Sequence, residues 1–522
     1  MGFFEVENVP YALPLSQLIA RLPGVLVSGP TDHTVTGLCR DSRTVQAGDL
    51  FVCLKGANHD AHRNAAQALE AGAVAVVVNR GGLEEVGVTL PPDATVLTVK
   101  DTRQALPLLA CGFYGDPSHA LLMVGVTGTN GKTTTTRMVA AILRAWGKRV
   151  GTIGTLGAEL DGEPIPSNHT TPEADELQAL LAQMRDAGAD AVVMEVSSHA
   201  LAQHRTDGIA FNTAIFTNLT QDHLDFHKTM AEYFEAKARL FAEYPVLYPR
   251  PDSAVFRAVI NTGQWEGRDM VTLARGDVIT FAPGDDPAVL RAEDVRLSPE
   301  GAAFTAVYDS GIEKYAFPIT LPIGGAFQVA NALGAIGAAL RLGVPRETIA
   351  AGLAHLPPVP GRFEAVPTGD RGFSIIVDYA HTPDGLANLL RSAHELHPAR
   401  ILTVFGCGGN RDRTKRPIMG RLAATQSDIA IVTSDNPRHE DPNAIIAEIL
   451  KGMDAASDPE IRAEIHVQPD RRQAIGLALS LARPGDLILI AGKGHEDYQI
   501  VGDTVLPFDD KKVAQELLEG PH

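Results

Sequence analysis

The sequence predicts an α/β protein of three domains: a small N-terminal α/β domain, a central domain on a doubly wound parallel sheet, and a C-terminal Rossmann-like α/β domain. Its 522 residues are too many for one ordinary hydrophobic core. Short apolar runs alternate with helical patterns, which is typical of buried parallel strands joined by helices. Many of these runs end in a polar turn with Gly or Pro, where open α/β sheets bind their ligands.

Composition and charge exclude several classes of protein. The chain is 45% hydrophobic and 21% charged and has no apolar run long enough to span a bilayer, so we expect no membrane insertion. Its net charge of −18 argues against nucleic acid as the main partner. The N-terminus has no basic region before its apolar residues, and the 4 cysteines show no metal-binding spacing. We therefore expect a cytoplasmic protein with reduced thiols. Anionic small substrates remain compatible with the charge if local Lys and Arg residues or a divalent metal bind them.

The first two domains are predicted over residues 1–115 and 116–357. In the N-terminal domain, β-like runs at 50–54 and 73–78 flank a predicted helix. The central domain contains four apolar runs that are typical of buried parallel strands: LLMVGV, DAVVMEV, NTAIFTN and AVIN.

The C-terminal domain is predicted over residues 358–522. A stretch rich in Pro and Gly, 355–367, follows a helical pattern and marks the linker. Four segments then repeat the αβ rhythm: FSIIVDYAHTP, RILTVFGCGGNRDRTKRP, DIAIVTSDNPRHEDP and DLILIAGKGHEDY. In each segment an apolar run leads directly into polar residues, so we expect the four strand ends to converge on one crevice.

A phosphate-binding loop is predicted at residues 127–133, between an apolar run and an amphipathic helix that ends near Gly147. Such a loop directs backbone N–H groups at an anion, while Lys132 reaches the outer phosphates and Thr133 offers a hydroxyl to Mg²⁺. The alternative is a Gly/Thr turn with a solvated Lys132, and the strand–GKT–helix context argues against it. The loop departs from the Walker pattern, because Val126 stands where that pattern requires Gly.

The loop TGTNGKTTT resembles the ATP loop of the Mur ligases, amide-forming enzymes that build the peptidoglycan stem peptide, and of their folylpolyglutamate synthase relatives. The resemblance implies that a carboxylate and ATP form an acyl phosphate, which an amine attacks to give an amide, ADP and phosphate. Lys132, His223 and Lys237 are then catalytic. The implied ATP site consists of Thr127, Gly128, Thr129, Asn130, Gly131, Lys132, Thr133, Thr134, Asn331, Arg362, Asp378 and His381.

The resemblance also implies two magnesium ions. Glu195 ends the run DAVVMEV and suits a metal, although a helix-capping acid is the alternative on local sequence alone. His223 and Lys237 match a family pair in which CO₂ carbamylates the lysine; a solvent-facing lysine is the alternative. An ammonium would repel Mg²⁺, whereas a carbamate supplies an anionic oxygen ligand. By this resemblance Thr133 and Glu195 hold one ion, while His223 and carbamylated Lys237 help place the other.

Two further groups of motifs resemble the branch of the family that adds the third residue of the stem peptide. The segments DSRTVQAGDLFVCLKG, NHTTPE and EVSSHALAQHR match its site for UDP-N-acetylmuramoyl-L-alanyl-D-glutamate, although Ser and Thr in such turns often only cap helices. The implied contacts are Ser42, Thr170, Thr171, Ser197, Gln203 and Arg205.

The segment SDNPRHEDP resembles the DNPR motif of the ligases that add meso-diaminopimelate. A guanidinium can fork onto the far carboxylate of diaminopimelate, and a carboxylate can receive its far ammonium, whereas lysine would leave an arginine unpaired. Whether Arg416 or Arg438 makes that contact stays open, and a Pro turn with Arg in solvent is the alternative for DNPR alone. The implied pocket consists of Arg416, Asp435, Asn436, Arg438, Gly492 and Glu496.

Three rival functions remain at this point. The first is the lysine-adding form of the same ligase, and the second is a ligase with another acceptor, such as a folylpolyglutamate synthase. The third is a P-loop ATPase or nucleotide switch whose C-terminal domain docks a partner. The uridine-type N-terminal segment argues against a folylpolyglutamate synthase, and the DNPR pocket favours diaminopimelate over lysine. We expect a monomer.

Overall fold

The computed structural model describes residues 11–56, 59–167, 169–284, 286–454, 456 and 458–520, which fold around three main sheets. The predicted α/β fold class is confirmed, while the domain boundaries after residues 115 and 357 stay predictions. Within the described ranges, none of the helices combines the length and the apolar character that crossing a membrane would require.

The N-terminal part is a small α/β unit. Its main sheet has the order β2-β7-β6-β5-β4, antiparallel only between β2 and β7. The predicted runs at 50–54 and 73–78 form its centre as β5 and β6, with α2 between them. The elements are β1 Leu13–Pro14, α1 Leu15–Ile19, β2 Leu26–Ser28, β3 Thr34–Val35, β4 Gly37–Cys39, β5 Asp49–Val52, α2 Ala65–Glu70, β6 Ala75–Asn79, α3 Gly82–Val86, β7 Val96–Val99 and α4 Thr102–Phe113.

The central part is built on an 11-stranded sheet. Its first half contains β8 Leu122–Thr127, α5 Lys132–Ala145, β9 Val150–Gly154, β10 Gly157–Leu160, β11 Glu163–Ile165, α6 Ala174–Asp186, β12 Ala191–Glu195, α7 Ser198–Ala202 and β13 Thr213–Phe216. Its second half contains α8 Leu224–His227, α9 Met230–Ala242, α10 Tyr244–Leu247, β14 Arg257–Asn261, α11 Trp265–Leu273, β15 Asp277–Ala282, β16 Leu290–Leu297, β17 Ala302–Asp309, β18 Lys314–Leu321, α12 Ala326–Arg341 and α13 Arg346–Ala354.

The order of this sheet is β11-β10-β9-β12-β8-β13-β14-β15-β16-β17-β18. The middle, from β9 to β16, is parallel as predicted and has α5 and α12 packed against one face. The prediction of a parallel sheet missed the antiparallel strands at both edges, β10 and β11 on one side and β17 and β18 on the other. Tight hairpins form these edges, so no crossover helix signals them in the sequence.

The C-terminal part has a six-stranded sheet of order β19-β20-β24-β21-β22-β23, parallel except for β19, and a separate hairpin of β25 and β26. All four predicted strands lie side by side in it, so their ends meet at one edge. The elements are β19 Glu364–Val366, β20 Ser374–Asp378, α14 Pro383–His394, β21 Ile401–Phe405, α15 Lys415–Gln426, β22 Ile429–Val432, α16 Pro442–Leu450, β23 Glu464–Val467, α17 Arg471–Leu481, β24 Leu487–Ala491, β25 Tyr498–Val501, β26 Thr504–Pro507 and α18 Asp510–Glu519.

A fully buried ion pair holds the C-terminal helix against this sheet. The Arg471 guanidinium donates from Nε and Nη2 to the two carboxylate oxygens of Asp510, each at 2.7 Å. Nη2 also donates to the carbonyl of Ala491 at 3.0 Å, at the end of β24. The pair therefore joins α17, α18 and the strand end that leads into the predicted substrate pocket.

We predict that Arg471→Met destabilises the C-terminal part by about 3–5 kcal/mol, because it leaves the Asp510 carboxylate buried without its partner. Denaturant unfolding measured by circular dichroism checks this. The double variant Arg471→Met/Asp510→Leu should recover much of the loss, since no uncompensated charge remains. A single variant as stable as the wild type would contradict the assignment.

Candidate active site

The loop between β8 and α5 makes two close backbone approaches that only glycine permits. A Cβ built on Gly128, at φ +145°, would lie 1.9 Å from Oγ1 of Thr217. A Cβ on Gly131, at φ +84°, would lie 2.2 Å from Oδ1 of Asn331. Val126 is instead a buried strand residue, so the glycine of this loop stands where the chain passes the neighbouring strand end rather than two residues earlier.

Side chains from the end of β13 hold the loop in shape. The Thr129 amide donates to the Asn218 carbonyl at 3.0 Å, and the Asn130 amide donates to Asn218 Oδ1 at 2.9 Å. The Thr217 hydroxyl donates to the Asn130 carbonyl at 2.6 Å. The loop is therefore preorganised, with the N-terminus of α5 behind it, as an anion site requires. Thr127 and Thr134, the first and last residues of the predicted ATP-binding run 127–134, are both buried.

Two lysines donate to the same carbonyl oxygen in this loop. Lys132 Nζ lies 3.0 Å from the Gly128 oxygen and 2.7 Å from that of Thr129, and Lys237 Nζ lies 2.8 Å from the Gly128 oxygen. Lys237 is buried, with its Nζ 4.5 Å from the centre of the Tyr233 ring. Burial and the charge of Lys132 hold the pKa of Lys237 well below its usual value, which favours the neutral amine. The solvent-facing alternative for Lys237 is therefore excluded.

Glu195 is buried at the end of β12, beside the loop strand β8. Its carboxylate accepts hydrogen bonds from the amide of Thr155 at 2.9 Å and from the hydroxyl of Thr155 at 3.0 Å. A Cβ on Gly154 would lie 2.3 Å from Glu195 Oε1, so the strand that precedes Thr155 leaves room for the carboxylate. The helix that follows, α7, has Ser197 as its N-cap and Gln203 as its C-cap. Glu195 is therefore not its capping acid, which was the alternative on local sequence.

His223 has a left-handed backbone, at φ +55°, and its ring stands edge-on to His199 at 4.8 Å between ring centres. Desolvation lowers the pKa of His223 to about 4, against the opposing charge of Asp222, while 43% of the side chain stays accessible to solvent. At neutral pH the imidazole is therefore uncharged and retains a ring nitrogen that can act as a ligand or an acceptor.

Five of the residues predicted to contact the muramoyl dipeptide cluster near Glu195: Thr170, Thr171, Ser197, Gln203 and Arg205. Asn168 of the same segment lies outside the described residues. The Arg205 guanidinium donates to the Thr171 carbonyl at 3.0 Å and to Gln203 Oε1 at 2.7 Å. The Thr171 hydroxyl donates to the Glu195 carbonyl at 2.9 Å. Arg205 also pairs with Glu173 at 3.0 Å.

Capping accounts for part of this cluster. Ser197 is the N-cap of α7, since its hydroxyl accepts the Ala200 amide at 3.2 Å. The Thr170 hydroxyl lies 3.2 Å from that of Thr155, a partner of Glu195. Ser42 belongs to the N-terminal part, where nearby Arg40 donates to Asp175 of α6 at 3.0 Å. This ion pair brings the Ser42 segment to the side of the central domain that begins α6.

Two residues of the predicted ATP site, Arg362 in the linker hinge and Asp378 at the end of β20, connect the C-terminal part to the phosphate loop. The Asp378 carboxylate accepts the amides of Phe363 at 2.7 Å and Ala380 at 2.8 Å. The bond to Phe363 fixes the chain just after Arg362, whose guanidinium stacks over Tyr379 at 4.6 Å. Nη2 of Arg362 donates to Oγ1 of Thr133 at 3.4 Å. Asp378 thus positions the hinge through its backbone contacts.

His381 and Asn331 take two different positions around the loop. The ring of His381 bonds its Nδ1 to the Tyr379 carbonyl at 2.7 Å, and burial, with the charge of Lys415, lowers the pKa of His381. Asn331, on α12, donates to Gln328 Oε1 at 2.7 Å and faces Gly131.

Sequence reasoning missed Asp384, which joins the two domains at the loop. Its Oδ2 accepts hydrogen bonds from Asn130 Nδ2 and from the Thr220 hydroxyl, each at 2.7 Å. Asp384 lies in the first turn of α14, after the quoted DYAHTP motif. No periodicity in the sequence marks a contact across 254 positions.

In the C-terminal pocket, Arg416 does not lie free to meet a substrate. Its side chain is fully buried and pairs with Glu440 at 2.9 Å and Glu448 at 2.8 Å. A third contact goes to the Gly408 carbonyl at 3.2 Å. We therefore correct the expectation for Arg416: it holds the ends of α15 and α16 together through two carboxylates, because burial of a guanidinium demands such pairing.

Arg438 and Arg411 are arginines that lie beside Gly408, in the loop that follows β21. A Cβ built on Gly408 would lie 3.0 Å from Arg438 Nη1 and 3.8 Å from Arg411 Cγ. Arg411 is exposed, and within the described residues the hydrogen bonds of the Arg438 guanidinium come from Nη1 alone, to the carbonyls of Gly409 and Asn436. The motif NRDRTKRP offered several arginines, and only the fold distinguishes the buried one from Arg411.

Hydrogen bonds link three other polar side chains of this pocket: Asn436, Lys493 and Glu496. Asn436 Nδ2 donates to Glu496 Oε2 at 2.8 Å, and Lys493, also missed by sequence reasoning, lies 3.3 Å from Asn436 Oδ1 and 3.4 Å from Glu496. A Cβ on Gly492, at φ +118°, would lie 2.8 Å from Asp435 Oδ2. Burial raises the pKa of Glu496, while Lys493 opposes that shift. The pocket thus combines the carboxylates of Asp435 and Glu496 with the guanidinium group of Arg438, which bonds to the Asn436 carbonyl.

The comparisons with known proteins agree with this geometry. Three family models match consecutive parts of the chain: the Mur ligase family catalytic domain at residues 34–114, the Mur ligase middle domain at 126–339, and the Mur ligase glutamate ligase domain at 361–494. The chain therefore belongs to the Mur ligase family, enzymes that form C–N bonds at the expense of ATP.

Individual relatives narrow the similarity further. The chain is 46% identical to the UDP-N-acetylmuramoyl-L-alanyl-D-glutamate--2,6-diaminopimelate ligase of Syntrophomonas wolfei, over 97% of this chain and 99% of that protein. It is also 46% identical to the ligase of the same name from Gloeobacter violaceus, over 97% and 98%. A solved structure of a ligase of that name is 31% identical, with a TM-score of 0.68 over 97% and 99% of the two chains.

We predict that Gly131→Ala lowers nucleotide affinity about tenfold or more, because the new Cβ meets Asn331 in a left-handed backbone. Titration calorimetry with ADP measures this. Gly147→Ala is the matched control: its φ is +76° and nothing lies within 4 Å of the added Cβ. That control should lose about 1 kcal/mol of stability and keep its nucleotide affinity. Equal affinities for both variants would contradict the steric argument.

Proposed function

We propose that this protein is an ATP-dependent, ADP-forming ligase that joins meso-diaminopimelate to UDP-N-acetylmuramoyl-L-alanyl-D-glutamate in peptidoglycan precursor synthesis. The observation that carries the proposal is the near full-length similarity to ligases of that name, together with a pocket in which Arg438 and Glu496 both bond to Asn436. A cytoplasmic location and a monomeric state stay predictions.

The proposed reaction needs charge neutralisation and alignment more than a protein nucleophile. The glutamyl carboxylate attacks the terminal phosphorus of ATP, and ADP leaves. The amine of diaminopimelate then attacks the acyl carbon, and phosphate leaves from the tetrahedral intermediate as the nitrogen loses a proton. Lys132 at the head of α5 and Arg362 from the hinge are the cations that face the transferred phosphoryl group.

The residues around the loop suit magnesium. Glu195 supplies a buried carboxylate, Thr133 a hydroxyl beside Arg362, and His223 a neutral imidazole. When bound, Mg²⁺ would neutralise phosphate charge and favour the in-line transfer. The glycine cradle at Gly128 and Gly131 leaves the backbone approach open for the phosphates.

Lys237 suits carbamylation by CO₂ for two physical reasons. Burial and the charge of Lys132 lower the pKa of its amine, which favours the neutral form, and only a neutral amine reacts with CO₂. As an ammonium it would also share the Gly128 carbonyl with the ammonium of Lys132. A carbamate replaces this repulsion by attraction, keeps an N–H to donate to Gly128, and adds an anionic oxygen for the metal.

Recognition of diaminopimelate follows from the two sides of the pocket. Asp435 and Glu496 would receive the far ammonium, and Arg438, with Arg411 in place of Arg416, would receive the far carboxylate. Lysine has no far carboxylate, so it would leave a desolvated guanidinium without a partner.

We predict that Lys237→Ala lowers amide synthesis at least about 10²-fold, because the metal loses an anionic ligand. Product formation is measured by chromatography at several bicarbonate concentrations. Lys148→Ala, which removes a partly exposed lysine of the same domain, is the control and should retain full activity. Undiminished synthesis by the Lys237 variant would overturn the proposed role of the carbamate.

We also predict that the wild-type protein prefers meso-diaminopimelate over L-lysine by about 10³-fold or more in kcat/KM. Arg438→Met and Arg411→Met should each reduce this preference by at least about tenfold. Arg416→Met should instead reduce the free energy of unfolding, since it leaves the Glu440 carboxylate without its arginine and Glu448 with Arg413 alone. Coupled ADP release with each amino acid, and denaturant unfolding, separate the two effects.

Rival functions give different outcomes in the same assay. Preference for lysine identifies the lysine-adding ligase, and no binding of the UDP-muramoyl dipeptide revives a folylpolyglutamate synthase. A nucleotide switch would hydrolyse ATP without the carboxylate and amine pair and form no amide.

A further inference from the structure

The hairpin of β25 and β26 is poorly explained by packing alone. All of β26 is exposed, and Val505 is 63% accessible to solvent, so the hairpin buries little apolar surface of its own. A two-stranded ribbon of this kind is marginal without other support. Its position must therefore depend on the polar contacts it makes with its neighbour, the pocket loop at residues 435–438.

Four hydrogen bonds join the hairpin to that loop. Gln499 Nε2 donates to the Asp435 carbonyl at 2.6 Å, and the Ile500 amide donates to Asn436 Oδ1 at 2.9 Å. The Arg438 amide donates to the Ile500 carbonyl at 3.0 Å, and the Gly502 amide donates to the Arg438 carbonyl at 2.7 Å.

These bonds hold the loop in a conformation that it would not take by itself. Arg438 has a left-handed backbone at φ +51°, which costs a non-glycine residue energy. Both its backbone N–H and its C=O are bonded to the hairpin. The Ile500 amide, by fixing Oδ1 of Asn436, leaves the Nδ2 of that side chain aimed at Glu496.

We propose that the hairpin at residues 498–507 is the element that sets amino-acid selectivity, and that Gln499 is its positioning residue. Resting on the proposed function, this inference assigns one support to both sides of the pocket: Arg438, which meets the far carboxylate, and Glu496, which meets the far ammonium. Gln499 touches no substrate. It acts by holding the Asp435 carbonyl, and with it the turn that carries Arg438.

The test compares Gln499→Leu, which removes the donor at nearly constant volume, with Val505→Thr on the exposed strand of the same hairpin. For Gln499→Leu we expect KM for diaminopimelate to rise about tenfold, with kcat within about twofold, because a buried carbonyl loses its donor. KM for ATP and for the UDP-muramoyl dipeptide should stay unchanged. The preference for diaminopimelate over lysine should fall with the KM effect, and Val505→Thr should match the wild type throughout.

Amide hydrogen exchange keeps the proposal testable if the variant is unstable. In wild-type protein, binding of diaminopimelate should slow exchange at Arg438 and at Gly502 together, whereas slowing confined to the loop overturns the proposal. A rise in KM for all three substrates together with a fall in kcat also overturns it, because that pattern indicates general misfolding. A wild-type protein that does not ligate diaminopimelate refutes the proposed function instead; the hairpin's support of the loop is then judged by faster exchange at Arg438 in ligand-free Gln499→Leu.

Discussion

The carbonyl oxygen of Gly128 is the point on which the central site depends, since the amino groups of Lys132 and Lys237 both donate to it. Two like charges in so small a buried volume are unfavourable unless one is neutral or an anion joins them. Burial and the charge of Lys132 lower the pKa of Lys237, which favours the neutral form of one of the two amines. A triphosphate and a carbamate are anions, so each would relieve the same repulsion, and their negative charge would in turn favour a bound metal.

The surrounding structure preserves this arrangement. Thr217 and Asn218, at the end of β13, fix the loop on one side, and Asn331 closes on Gly131 from α12. Because these contacts come from elements far apart in sequence, the loop keeps its shape only while the central sheet is intact. This preorganisation means that little conformational entropy is lost when a phosphate binds.

The C-terminal domain contributes to the same site through opposite charges. Arg362 approaches Thr133 as a cation, while the Asp384 carboxylate bonds Asn130 and Thr220. Asp378 fixes the hinge between them through two backbone amides. Nucleotide binding and domain position are therefore linked, since a shift of the loop would disturb both contacts.

Much of the site was predictable, and its failures have a common cause. The phosphate loop, Glu195 and the pocket residues Asp435, Asn436 and Glu496 lie at strand ends or on short motifs that a linear pattern can reveal. Lys237, inside α9, was indicated only by the family resemblance. Arg416 was misplaced because the motif NRDRTKRP contains several arginines, and only burial against Glu440 and Glu448 distinguishes it. Asp384 and Gln499 carry no local signal, because their partners come from distant segments. Lys493 lies inside the GKGHEDY motif and was overlooked.

The sequence by itself determined the α/β class, the parallel strands and the identity of the loop, since apolar runs and glycine positions are local properties of the chain. Tertiary structure alone decided the antiparallel edges of the central sheet, the pairing of Arg416 and the support of Arg438 by the hairpin. The physical reason is that burial and charge compensation depend on which segments meet, and a single chain without its fold does not specify those encounters residue by residue.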